Sequence, residues 1–169
     1  MDNLKIPVGT SDFAEIRQNG YYYVDKTVLI SELLKTASNK VTLITRPRRF
    51  GKSLGMSMLE NFFDIRKDSR TLFAGLEISQ NKALCDEWMN QYPTISVSFS
   101  RVFGLNYTKA YDMLTMVIAD LFNKHLYLIQ NGKGTDFENS TFKHLADGCA
   151  SEKAVSYTHL RAHETVLDL

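Results

Sequence analysis

The chain has 169 residues, enough to bury a core, and 44% of them are hydrophobic, an ordinary globular proportion. Its net charge of +1 gives no global pull toward nucleic acid or membrane, and no apolar run approaches the roughly 18 residues that span a bilayer. Cys85 and Cys149 lack metal-ligand spacing and read as buried or incidental thiols, while Met1-Asp2-Asn3-Leu4-Lys5 lacks a signal peptide's apolar core, so the expectation is a cytoplasmic domain with no membrane partner.

In chain order, Ser11 reads as the N-cap of a short helix ending near Gly20, with Phe13 and Ile16 on one side. Tyr21 to Val24 is short, aromatic and β-prone. Asp25 then reads as the cap of a helix whose Val28, Leu29, Ile30, Leu33 and Leu34 make a broad apolar face.

The most informative stretch follows the apolar, strand-like run Val41-Thr42-Leu43-Ile44-Thr45. It is Arg46-Pro47-Arg48-Arg49-Phe50-Gly51-Lys52-Ser53, whose end matches the phosphate-binding loop pattern G-x-x-x-x-G-K-[ST]. Gly51 lets backbone N–H groups approach phosphate oxygens, and Lys52 reaches the β- and γ-phosphates as the candidate catalytic residue. The Ser53 hydroxyl is a hard ligand for magnesium. Leu54 opens the following helix, whose N-terminus adds its dipole to an anion site. The pattern is imperfect, because its first glycine falls on Arg46. Pro47 steers Arg46 to extended backbone, so the loop must reach phosphates by a different path. Arg46, Arg48, Arg49 and Lys52 concentrate positive charge that a triphosphate would neutralise, with bidentate guanidinium bonds. The alternative is a solvated basic patch that meets nucleic-acid phosphates or nothing.

Leu54, Met58 and Phe62 recur at helical spacing behind the loop, with Leu59 and Phe63 beside them. Residues 64–82 are a polar connection with a weak element at Leu72-Phe73. Trp88 belongs to a short helix, Lys82 to Gln91, as a packing anchor. Ile95, Val97 and Phe99 alternate with serines, which predicts a strand. Tyr107, Tyr111, Leu114, Ile118, Leu121, His125 and Leu128 then predict a helix of about six turns stopping before Gly132-Lys133-Gly134, with His125 a core or boundary histidine. Within it, Met116 to Asp120 imitates an apolar strand ending in a magnesium-holding acid, but the helical spacing continues through and places Asp120 opposite Ile118.

Tyr21 to Thr27 (YYYVDKT), Val41 to Leu54 (VTLITRPRRFGKSL) and Asn61 to Asp64 (NFFD) together resemble the predicted AAA-ATPase-like family of bacterial proteins. Ile6 to Phe13 and Tyr92 to Phe99 are similar to it as well, so the likeness runs from the N-terminus to about residue 155. The resemblance implies a P-loop domain binding ATP and magnesium through Arg46 to Leu54. It also implies that Asp25, Lys26 and Thr27 line the nucleotide site or the interface beside it. Longer family members often carry a C-terminal PD-(D/E)XK nuclease-like domain, and their acidic Asp-Glu strand would lie beyond Val155 here. From Ser156 to Thr165 the sequence resembles a peptide recurring at the ends of unrelated reading frames, consistent with translated sequencing adapter. His159 and His163 are spaced as a helical metal pair but have no third ligand.

The expected fold is therefore α/β, a P-loop NTPase-type parallel sheet with flanking helices, with residues 1–155 its N-terminal part and 156–169 a non-native tail. Two functions stand side by side. One is an ATPase module, inactive in this piece for want of the acidic strand and active in the parent. The other is a non-hydrolysing module whose basic loop holds nucleotide or nucleic-acid phosphates. Oligomeric state is open.

Overall fold

The computed structural model describes residues 5–35, 41–130 and 134–148. Cys149, the 156–169 tail with His159 and His163, and Gly132-Lys133 lie outside the described residues. The chain divides into two compact units, Met1–Thr94 and Ile95–Leu169.

The first unit is built from helices α1 (Phe13–Gln18), α2 (Val28–Lys35), α3 (Lys52–Phe63), α4 (Arg70–Phe73) and α5 (Lys82–Trp88), with a 3₁₀ turn at Glu77–Gln80. Asp12, one residue after the expected cap, closes the start of α1 by accepting from the N–H groups of Ala14 and Glu15. The end of α1 turns at Gly20, where φ is 63°, and Tyr21 N–H returns to the Ile16 carbonyl. Leu54, Met58 and Phe62 turn one face of α3 inward: Met58 and Phe62 are fully buried and Leu54 is half-buried against them. Phe13, Phe62 and Phe73 form the aromatic centre of this core, with ring centroids 4.8 Å (Phe13–Phe73) and 5.3 Å (Phe62–Phe73) apart. Ile30 from α2 and Ile78 from the 3₁₀ turn pack into the same cluster. Arg17 ties α1 to the end of α4, donating from Nε to the Leu72 carbonyl at 2.7 Å and from Nη2 to the Ala74 carbonyl at 2.8 Å. Trp88 stacks on Tyr92 with centroids 5.0 Å apart, a packing role.

In the second unit, α6 (Tyr107–Lys124), α7 (Tyr127–Gln130) and α8 (Asp136–Ala146) follow a short 3₁₀ turn at Phe99–Arg101. Ile118 and Leu145 are buried between α6 and α8, flanked by Tyr111, Leu114 and Phe122. A capping box starts α8, with Thr135 and Glu138 satisfying each other's backbone N–H groups. The long predicted helix is interrupted: His125 closes α6, and a turn separates it from α7. His125 is buried, and its Nδ1 pairs with the Leu121 carbonyl at 2.7 Å. Asp120 points outward and accepts from Lys124 Nζ at 2.7 Å, so it is a surface ion-pair partner.

The parallel-sheet expectation is overturned. Among the described residues the helices carry the architecture, and the β pairing is one isolated parallel bridge, Asp64 with Tyr92. Val41–Thr45 and Ile95–Ser98 carry no strand, nor does Tyr21–Val24. Extended backbone becomes strand only when a neighbour receives its N–H and C=O groups. Among the described residues Tyr22 N–H reaches the Lys5 carbonyl at 2.7 Å, but no ladder forms on any of these segments, and Leu43, Ile95, Val97 and Phe99 remain exposed instead of forming a sheet face. With no sheet, the parallel crossovers expected between those strands do not form either.

Candidate functional site

The end of the basic loop is shaped by two left-handed residues. Arg49 has φ 68° and Gly51 φ 75°, a conformation that costs a non-glycine residue about 1–2 kcal/mol. Gly51 is the N-cap of α3 and has no side-chain capping bond, so the first N–H groups of the helix are left to an external acceptor. A left-handed residue followed by helical backbone turns successive N–H groups into one concavity, a shape that accepts anions. The first helical carbonyl bond, Gly55 N–H to the Gly51 carbonyl at 2.8 Å, then starts α3.

Cations gather around this end. Lys52 Nζ donates to the Arg46 carbonyl, which folds the lysine back over the loop. Arg46, Pro47, Arg48, Arg49 and Phe50 are all exposed, as are Lys52 and Ser53, while Leu54 is half-buried under the helix. Arg46, Arg48, Arg49 and Lys26 form no ion pair among the described residues. The Ser53 hydroxyl stands in the first turn of α3, where it is one hard oxygen for a magnesium ion. Among the described residues no group of three or more His, Cys, Asp or Glu is placed to hold a metal. Ser53 carries the only side-chain oxygen between Arg46 and Leu54, so it is the residue of the loop that could hold a magnesium ion.

The structure separates the three accessory residues. Asp25 and Thr27 form a brace. Asp25 Oδ1 accepts from the Thr27 N–H at 2.8 Å and its hydroxyl at 2.7 Å, and Oδ2 accepts from the Glu77 N–H at 2.8 Å. Thr27 is fully buried, and its hydroxyl oxygen also accepts from the Ile78 N–H at 3.2 Å. Burial opposes ionisation of Asp25, but the bonds from Glu77 and Thr27 outweigh it and hold the carboxyl below its ordinary range. Asp25 is thus more than a cap: it joins the start of α2 to the 3₁₀ turn. Lys26, between the two, faces the other way, toward Gly51.

A cavity of about 480 Å³ opens beside the loop. Lys26, Arg46 and Lys52 supply its cations, and Leu29, Ile44, Phe50, Met56 and Met58 its apolar wall, with Glu32 the acid on its rim. Sequence reasoning missed Leu29, Glu32 and Met56 as lining residues. The signal was present, since Lys26, just before α2, and Leu29 and Glu32 within it lie three residues apart.

A helix N-terminus opened by a left-handed glycine, with lysine and arginine around it, is an arrangement that can accept an anion. The family model "Predicted AAA-ATPase" matches residues 7–158, and the chain belongs to that family. An uncharacterized protein encoded in the vnfD 5′ region of Azotobacter chroococcum mcd 1 is 35% identical over 100 residues, 59% of this chain. The match spans 18% of that relative's length. No solved structure matches the chain. Among the described residues no helix is long and apolar enough to cross a membrane.

Proposed function

We propose that this chain binds a nucleoside triphosphate, ATP with magnesium, through Arg46 to Leu54. The observation that carries the reading is the uncapped N-terminus of α3 behind left-handed Gly51, with Lys52 and three arginines around it. In this reading the N–H groups of the first turn and the Lys52 ammonium hold phosphate oxygens, and Arg48 or Arg49 adds guanidinium bonds. Ser53 holds magnesium, which neutralises phosphate charge when bound. The neighbouring cavity gives the base and ribose an apolar wall. Membership of a predicted ATPase family supports the same substrate class. Hydrolysis, an attached nuclease domain and the process served belong to the whole protein and stand as proposals with it.

The second reading is a basic surface that takes nucleic-acid backbone phosphates, favoured by the exposure of Arg46, Arg48 and Arg49. Salt separates the two, because each neutralised backbone phosphate releases counterion and makes binding fall steeply with ionic strength. A fluorescent ATP analogue is therefore titrated against the protein from low to physiological salt, with and without magnesium, then challenged with duplex DNA. Magnesium-dependent binding that duplex does not displace supports the nucleotide site. Tight, salt-sensitive duplex binding that ATP does not compete away supports the basic surface and overturns the nucleotide reading.

A further inference from the structure

We propose that Lys26 is a second phosphate-binding cation of this site, carried to the loop by the Asp25–Thr27 brace, so that a polyphosphate is gripped between Lys26 and Lys52. The inference rests on the nucleotide-site reading and goes beyond it by assigning a ligand from outside the loop. Four observations place Lys26 there. A β-carbon built on Gly51 would stand 3.4 Å from Lys26 Nζ, so the ammonium lies directly over the glycine that opens α3. Lys26 and Lys52 line the same cavity. Lys26 is exposed, and its ammonium has no hydrogen bond or ion pair among the described residues, so its charge is available to a ligand. Its neighbours on both sides are fixed: Asp25 is tied to Glu77, and Thr27 is buried and tied to Ile78.

The brace matters because a lysine side chain loses much rotamer freedom when it is ordered. Anchoring the backbone on either side removes the backbone share of that cost before the ligand arrives. Two ammonium groups lining one cavity also favour an anion with several charges over one with a single phosphate. The sequence of roles is then clear: Asp25 and Thr27 are positioning residues, and Lys26 is the ligand.

The test compares wild type, Lys26→Met, Lys26→Arg and Lys52→Ala by titration with magnesium-ATP, ADP and AMP, alongside thermal unfolding. Lys26→Met is expected to bind ATP and ADP about tenfold more weakly, the scale of one charge-assisted hydrogen bond, with a smaller loss for AMP. Lys26→Arg should recover most of the affinity, and the unfolding midpoint of Lys26→Met should stay at the wild-type value, since the side chain is exposed. ATP binding by Lys26→Met equal to wild type, with Lys52→Ala impaired, would overturn the assignment of Lys26 and leave the nucleotide site standing. No ATP binding by wild type, or none that depends on Lys52, would overturn the site and this inference together. An equal loss for ATP, ADP and AMP would show that Lys26 does not contact the polyphosphate.

Discussion

Lys26 and Gly51 meet at the N-terminus of α3, where a β-carbon on Gly51 would stand 3.4 Å from the Lys26 ammonium. That closeness sets the meaning of a substitution at the glycine. Gly51→Ala must adopt φ 75°, at a cost of about 1–2 kcal/mol. The lysine tip can swing aside, so the contact itself adds little. The expected result is a lowered denaturant midpoint, read from the fluorescence of Trp88, the chain's single tryptophan, which lies half-buried in the same unit. An unchanged midpoint would contradict the left-handed loop geometry.

Thr27→Val tests the brace. Valine fills nearly the same volume but leaves the Ile78 N–H without its acceptor and removes one donor from Asp25. An unpaired buried donor costs about 1–3 kcal/mol. Urea unfolding should therefore show a loss in that range. Stability equal to wild type would mean that the threonine hydroxyl does not hold the turn.

Much of the first unit was legible before any coordinates. The apolar spacing Leu54, Met58, Phe62 reports which side of α3 is buried, because helical period and burial are one geometric fact. The start of α3 was legible from the glycine before a helix-opening lysine, and α3 does begin at Lys52 behind left-handed Gly51. The parallel sheet read from the sequence does not form among the described residues. Alternation at Ile95, Val97 and Phe99 reports extended preference, whereas a ladder needs a partner that no local pattern contains. The break at His125 escaped for a related reason: apolar periodicity reads through a short turn, since it senses faces and not hydrogen bonds. The buried bracing role of Thr27 escaped because one buried hydroxyl has no periodic signature.

Acid should weaken the first unit. Burial opposes ionisation of Asp64, but Arg66, through its side chain and its backbone N–H, outweighs this and holds the carboxyl below its ordinary value of 3.8, as the Glu77 and Thr27 bonds do for Asp25. Both folded-state values lie below the unfolded ones, so their contribution is complete above the ordinary carboxylate range. It is lost as pH falls from that range through the folded values, where the unfolded chain takes up protons first. Thermal midpoints followed by Trp88 fluorescence should decline below about pH 4. Asp64→Asn should begin with a lower midpoint at neutral pH and decline less steeply in acid. A midpoint that rises on acidification would contradict the linkage.

The central claim is that the loop from Arg46 to Leu54 is a nucleotide phosphate site with Lys52 as its principal side-chain ligand. Calorimetric titration of magnesium-ATP into wild type and Lys52→Ala, at one salt concentration, tests it most directly. Lys52 is exposed, and among the described residues its side chain bonds to the Arg46 carbonyl alone, so its loss should leave the fold intact. The account predicts saturable one-to-one binding by wild type and a loss of about 2 kcal/mol, roughly thirtyfold in affinity, in Lys52→Ala. Equal affinity of the two proteins for magnesium-ATP, or no binding by either, would contradict it.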